Sequence, residues 1–421
     1  MKNKKIVTKP FDRFKIPPKQ NILIMPIIWL YCFIVTKRNK LKINKVRMKG
    51  VKPPYLVLGT HQSFMDFCVT PLTIFPRRAN YVSELEGFEA YGEWKYRQIG
   101  CLGTRKFVYD LALVKNIKRV IARKGILVLY PEARYANVGT YSPIPKSVGK
   151  LAKMLKVPVV IVNMKGNYLR TPIWNLNVRK EVPLEATITQ VFTKEELQAA
   201  SLKEVNDKIS EYLYYDEYKW QYDEKISITY EKRAEGIEMP LYKCPVCGEE
   251  FHMKTNMAHI FCEKCNSKWY MTEYGKLEPL NNKYKYLKSM DFSHIPNWYE
   301  WERSEVIKEI KEGRYFLDIN VYIESLPNGI NFIKLGHGKL VHNKDGFYLT
   351  FTDYGEKNEK TMFFSRTSMT SIHTEYDYRG KGQCITLSTL DNTYFIFPRG
   401  DGFNATKIQF ATEYLYDHFI Q

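Results

Sequence analysis

Short apolar runs alternate with amphipathic stretches through the first half of the chain. YLVLGT (55–60), ANYVSE (79–84), ILVLYPE (126–132) and VPVVIVNM (157–164) predict strands, buried on both faces where the apolar run is unbroken. Ahead of the last two lie DLALVKNIKRVIARK (110–124) and KSVGKLAKMLK (146–156). In the first of these, Leu111, Val114, Ile117 and Ile121 recur every three or four residues, which is one face of a helix. Val205, Ile209 and Leu213 mark another face within LKEVNDKISEYLYYDEYKW (202–220). Alternation of this kind predicts an α/β unit, a mostly parallel sheet flanked by helices.

The pattern changes near Met239. Residues 240–280 hold CPVCGEE and FCEKCNSKW, and EWERSEVIKEIKEG (300–313) predicts a short helix. From Tyr315 on, seven strand-like runs follow one another, separated by turn signals such as NKDG and RGKG. The chain then closes on one helix, 404–419, with Ile408, Ala411, Leu415 and Phe419 on its inner face. Seven strands and a closing helix resemble, in layout, a pleckstrin-homology or GRAM module. The expected units are thus a basic N-terminal segment (1–48), an α/β domain (49–225), a cysteine-bearing insert (238–282) and a β-rich C-terminal domain (300–421). A chain of 421 residues has room for them, because single cores stop growing at roughly 250–300 residues.

Charge changes the picture in one place. The first fifty residues carry fourteen Lys and Arg against one acid, Asp12, which is +13 of the net +19. Basicity so confined does not form a stripe along a nucleic-acid face, and no nucleic-acid partner is expected. It flanks ILIMPIIWLYCFIV (Ile22 to Val35). As a helix this run rises about 21 Å, short of a hydrocarbon core of about 30 Å, and Pro26 interrupts its start. A re-entrant or interfacial anchor on anionic membrane lipids, at the cytoplasmic face of the cell membrane, fits the run better than a span. No small-residue site follows it for signal cleavage; a core helix of the first domain is the plainer alternative.

Eight cysteines fall into two C-x-x-C pairs and four scattered residues, a pattern suited to a reducing compartment. Cys244, Cys247, Cys262 and Cys265, with Gly248 and Asn266 after the second Cys of each pair, have the spacing of a zinc ribbon. Four thiolates close a tetrahedral zinc site, so a structural role is expected. His252 and His259 lie inside the loop and are read as surface residues.

HQSFMD (61–66) follows the first buried strand. His61 and Asp66 on one regular helix would stand about 140° apart, so their side chains meet only if His61 lies in the turn before the helix. Ser63 can cap a helix starting at Phe64, and Asp66 then braces one ring nitrogen while the other stays open as a base. SFMD is also an ordinary capping signature, so the pair alone does not separate catalysis from capping. The neighbours do: GCLGTRKF (100–107), LYPEARY (129–135) and KVPVVIVNMKG (156–166) come after it in order. Together with His-x4-Asp they resemble the glycerolipid acyltransferase family, typified by lysophosphatidic acid acyltransferases, over residues 45–220.

That resemblance implies catalysis by His61 with Asp66, and a substrate site with Arg105 and Arg134 on the acceptor's phosphate and Glu132 accepting from a hydroxyl or fixing an arginine. It implies acyl transfer from acyl-CoA or acyl carrier protein to a lysophospholipid such as 1-acyl-glycerol-3-phosphate, in phospholipid biosynthesis. Two departures bear on acceptor identity. Pro131–Arg134 is one residue shorter than the family's Pro-Glu-Gly-Thr-Arg, and Gly103 and Thr104 stand where a hydrophobic pair and an acid are usual. A lipid-binding scaffold that keeps the fold without catalysis is the alternative.

Overall fold

Tyr55 and Val57 belong to one buried cluster and Leu56 and Leu58 to another, and all four are fully enclosed. Successive side chains of a strand leave on opposite faces, so an unbroken apolar run requires a sheet covered on both sides. The computed structural model, which describes residues 6–281, 290–400 and 402–420, has that arrangement. Lys2, Lys4 and Lys5 of the basic start, residue 282 of the expected insert, residue 421 and the side chain of Phe419 lie outside the described residues.

The first unit runs α1 (Met25–Lys37), β1 (Lys42–Val46), β2 (Tyr55–Gly59), α2 (Asp66–Thr73), β3 (Ala79–Glu84), α3 (Leu85–Tyr91), α4 (Glu93–Gln98) and β4 (Cys101–Thr104). It continues through α5 (Leu111–Ala122), β5 (Ile126–Leu129), α6 (Ser147–Leu155), β6 (Val159–Lys165), α7 (Asn167–Arg170), β7 (Glu185–Phe192), α8 (Lys194–Ala199), α9 (Leu202–Leu213) and α10 (Glu217–Asp223). The sheet order is β1-β7-β6-β2-β5-β3-β4, parallel at every pairing except β6 with β7. One face packs on α1 and α2 through Cys32, Cys68 and Val69, the other on α5, α6 and α9 through Ile117, Ala152 and Ile209. The α/β expectation therefore holds.

Several details differ from the sequence reading. The β1 strand lies inside the expected N-terminal segment; it is an exposed, lysine-bearing edge strand, which carries no burial signal. The 202–220 run is two helices, because Tyr214 and Tyr215 are not helical and Asp216 caps α10 on Lys219 N at 2.9 Å. On α5, Asp110 caps the first turn and the inner face runs through Ala112, Ile117 and Val120, leaving Leu111 exposed.

The insert forms a four-stranded antiparallel sheet: β8 (Met253–Asn256), β9 (His259–Cys262), β10 (Lys268–Met271) and β11 (Leu277–Pro279). Then come α11 (Ile295–Lys311) and the seven expected strands, β12 (Leu317–Ser325), β13 (Ile333–Asn343), β14 (Gly346–Thr352), β15 (Glu359–Ser365), β16 (His373–Glu375), β17 (Cys384–Ser388) and β18 (Thr393–Arg399), closed by α12 (Ala405–Ile420). They form one antiparallel sheet in the order β15-β14-β13-β12-β18-β17-β16.

These units share cores. Trp174 and Tyr218 of the α/β unit, Ile260 and Trp269 of the insert, Trp298 of α11 and Phe410 of α12 lie in a single buried cluster. Leu326, Phe395 and Phe397 of the C-terminal sheet join Val57 and Val128 of the central sheet in another.

Candidate active site

His61 stands two residues beyond β2, at the C-terminal end of a central strand, where open α/β sheets take ligands. Its backbone is held on both sides: His61 N donates to Glu132 Oε1 at 2.8 Å, and its carbonyl accepts from Ala136 N at 3.1 Å. Gly59 makes room for the ring's neighbour, since a Cβ there would meet Tyr130 Cε1 at 2.7 Å. Tyr130 stacks on the His61 imidazole, centroids 4.6 Å apart and 19° between planes.

Four donors converge on Asp66, which is fully buried at the start of α2. Gln62 N and Ser63 N reach Oδ2 at 2.6 and 3.1 Å, Asn167 Nδ2 reaches Oδ1 at 2.7 Å, and His61 Nδ1 lies 3.0 Å from Oδ2. Backbone bonds from the turn ahead of the helix hold this carboxylate and also fix the oxygen facing the imidazole. The helix starts at Asp66, not Phe64; Ser63 Oγ accepts from Met65 N at 3.3 Å and donates to Asn167 O at 2.9 Å. A carboxylate only accepts, so Nδ1 carries the proton and Nε2 presents a lone pair. Among the described residues no hydrogen bond engages Nε2.

The ring lines a cleft of about 460 Å³. Phe64, Phe67, Tyr91 and Tyr96 give it aromatic walls, and Phe64 and Tyr91 are exposed at its edge. Its polar side holds Glu84, Glu86 and Lys106. Lys106 Nζ pairs with Glu84 Oε2 and lies 3.1 Å from the ring nitrogens of His373, which in turn is 2.9 Å from Glu375. Burial, reinforced by Glu84, pushes the Glu86 carboxyl up to about 8. These groups were missed in the sequence, although Glu84 ends β3 much as His61 follows β2. Lys106 follows Arg105 directly.

The three expected acceptor residues are engaged elsewhere. Arg105 lines the cleft, yet Nη1 donates to Leu326 O and Thr393 Oγ1, both at 2.8 Å, and Nη2 to Pro327 O at 2.8 Å and Asp391 O at 3.0 Å. Burial lowers its pKa to about 10. Arg134 is buried and lies 2.7 Å from Glu413 Oε1 on α12, with Ser371 Oγ as a second partner. Glu132 accepts from His61 N, from Ser142 N at 2.8 Å and from the Tyr215 hydroxyl at 3.1 Å; burial pushes it up to about 8 against these three donors. Neither Glu132 nor Arg134 lines the cleft. The side chains of this trio are thus held by bonds that fasten the C-terminal module and brace His61.

A second cluster stands in the insert. The Sγ atoms of Cys244, Cys247, Cys262 and Cys265 all lie within 4.8 Å of one another, with Cys244–Cys265 at 3.7 Å and Cys247–Cys262 at 3.8 Å. Tetrahedral thiolates at about 2.3 Å from a zinc ion stand about 3.8 Å apart. Gly248 and Asn266 take φ of +77° and +60°, which folds each knuckle back on its metal-facing pair. The donor set fits the ion.

The α1 helix buries Met25, Cys32 and Thr36 and exposes Ile27, Leu30, Tyr31 and Ile34 on its outer side. No described helix is long and apolar enough to cross a membrane.

Residues 34–165 match the protein-family profile described as Acyltransferase. That stretch runs from the end of α1 to the end of β6 and contains His61, Asp66, Arg105, Glu132 and Arg134. Among solved structures the chain is similar to the 1-acyl-sn-glycerophosphate (LPA) acyltransferase PlsC from Thermotoga maritima, at 16% identity and a TM-score of 0.38, over 45% of this chain and 76% of that one. No curated protein sequence matches the chain.

Proposed function

We propose that the chain is a membrane-surface O-acyltransferase of phospholipid biosynthesis, moving a fatty acyl group from acyl-CoA or acyl carrier protein to the free hydroxyl of a lysophospholipid such as 1-acyl-glycerol-3-phosphate; the match of residues 34–165 to the Acyltransferase profile supports this reading. The observation that carries this reading is the His61–Asp66 pair, 3.0 Å apart, opening on an aromatic-walled cleft.

In this mechanism His61 Nε2 takes the proton from the acceptor hydroxyl while Asp66 holds Nδ1–H and stabilises the imidazolium that forms. The oxygen attacks the thioester carbonyl, a C–O bond forms and the C–S bond breaks. The departing thiolate takes the proton back from His61, which leaves the enzyme as it began. Phe64, Phe67 and Tyr91 offer apolar area to the acyl chain. For a phosphate-bearing acceptor, Lys106 is the cation at hand, shared with Glu84 and His373, because Arg105 and Arg134 are committed to the C-terminal module.

The exposed apolar side of α1 would lie in the interface with anionic lipids, on the cytoplasmic face of the cell membrane. Zinc would be held by Cys244, Cys247, Cys262 and Cys265 as a structural ion, since four thiolates leave no open position.

One observation favours the scaffold alternative: two arginines of the resembling motifs serve domain closure. Labelled acyl-CoA with a panel of lysophospholipids separates the readings. Diacyl product that His61→Ala abolishes, with the fold unchanged, supports the enzyme. Failure to acylate any acceptor, with vesicles still bound, sinks it in favour of the scaffold.

A further inference from the structure

A cavity of about 340 Å³ opens at the foot of the central sheet, where β3 and β5 begin, at the end opposite the His61 cleft. Five cations line it, Lys19, Arg77, Arg78, Arg123 and Lys124, and no acidic residue does. Among the described residues no carboxylate pairs with any of the five. The arginines are held in place by neutral groups: Arg78 Nη1 donates to Gln20 O at 2.7 Å, and Arg123 to the carbonyls of Pro17 and Pro18 at 2.6 and 2.8 Å and to Asn80 Oδ1 at 2.6 Å. Cations fixed around one hollow without a counter-charge repel one another, and an anion in the hollow relieves that repulsion.

The surroundings say which anion. Lys19 and Gln20 lead into α1, whose outer side is apolar and exposed. On the opposite wall, Arg77 and Arg78 follow Phe75, which is itself exposed and meets Trp29 of α1 edge-on at 5.1 Å. An apolar ridge and a basic hollow at its base reproduce the order of a bilayer surface, acyl region beside phosphate layer.

We infer that this cavity binds the phosphate of an anionic phospholipid headgroup and fixes how the protein sits on the membrane. The inference builds on the membrane-surface reading and adds a headgroup site built mainly from the α/β domain.

The test uses the full chain with vesicles of phosphatidylglycerol and phosphatidylcholine, by co-sedimentation at constant ionic strength. Each cation contributes about fivefold in partition to an anionic surface, so Lys19→Gln with Lys124→Gln should weaken binding to phosphatidylglycerol by roughly thirtyfold. Binding to pure phosphatidylcholine should stay as it is, and so should acylation of a monodisperse acceptor. Arg78→Gln serves as a second, single-site variant, expected to lose about fivefold. Parent-level binding of both variants to phosphatidylglycerol overturns the proposal, as does abolition of that binding by millimolar inorganic phosphate alone, which marks a free-anion site. His61→Ala should bind vesicles like the parent, so loss of acyl transfer and loss of the headgroup site are read separately.

Discussion

Glu413→Gln is the most informative single change, because it keeps the side chain's shape and removes the charge that Arg134 and Arg303 share. Arg134 Nη1 lies 2.7 Å from Oε1, Arg303 Nη1 lies 2.5 Å from Oε2, and Ser371 Oγ donates to Oε1 at 2.6 Å. Burial alone would raise the carboxyl; the two guanidiniums overrule it and hold it at about 2, against an ordinary 4.5. At 1.36 kcal/mol for each tenfold, that depression is worth roughly 3 kcal/mol. Removing one partner of a buried pair costs about 3–5 kcal/mol by a separate route, so the two magnitudes agree. The sign follows from the depressed value: the contribution is complete above pH ~4.5 and is lost as pH falls toward ~2.

The assay is urea unfolding of both proteins from pH 7 down to pH 2. Carboxylates other than Asp417, which the Glu413 charge pushes up, titrate alike in the two, so the gap between the curves chiefly reports Glu413. It should stand near 3 kcal/mol at pH 7, close between pH ~4.5 and ~2, and vanish below. A gap under about 1 kcal/mol at pH 7, or one that ignores pH, would refute the reasoning and return Arg134 to the acceptor.

Asp66→Asn places an amide where Nδ1–H must donate, so the imidazole takes the wrong tautomer; kcat should fall by about 10³–10⁴, and the melting temperature should fall too, because Gln62 N and Ser63 N lose their acceptor. Gly59→Ala drives a methyl into Tyr130, and a loss of roughly 1–3 kcal/mol should come with loss of activity as the ring on His61 shifts. Cobalt substitution should give a four-thiolate spectrum at one ion per chain, which Cys262→Ser weakens, and chelation should lower the melting temperature of the whole chain because the insert shares a core with α11 and α12. Ile27→Glu with Ile34→Glu, on the exposed side of α1, should release the protein from vesicles while its circular dichroism stays unchanged.

What the sequence disclosed and what it hid divide along contact range. The His61–Asp66 bond spans five residues and is made by backbone turns that HQSFMD itself encodes, so its geometry was legible from the local pattern. The four-cysteine cluster is set by two knuckles, each closed within four residues, and was legible for the same reason. The seven C-terminal strands are apolar and aromatic runs set apart by turn signals such as NKDG and RGKG, so they could be read one by one. By contrast, Arg105 finds its acceptors more than 220 residues away, and Arg134 finds Glu413 almost at the other end of the chain. A strand-end arginine looks the same whether a substrate or another domain takes its guanidinium. Only packing distinguishes the two, and packing at that range leaves no mark on local spacing.

The same long-range bonds bear on what the C-terminal module does. Thr370 lines the cleft and His373 stands beside Lys106, so the module supplies part of the cleft's polar wall. Leu326, Phe395 and Phe397 complete a core that the central sheet leaves open on one side. A module attached only for recruitment would meet the α/β unit through a wet, polar surface, as domains that move apart do. Here it meets that unit through buried aromatics and the guanidiniums of Arg105 and Arg134, which makes cleft and module one cooperative body. Changes in the C-terminal module near Thr370 and His373 are therefore changes at the wall of the cleft that His61 lines, over three hundred residues from that histidine in sequence.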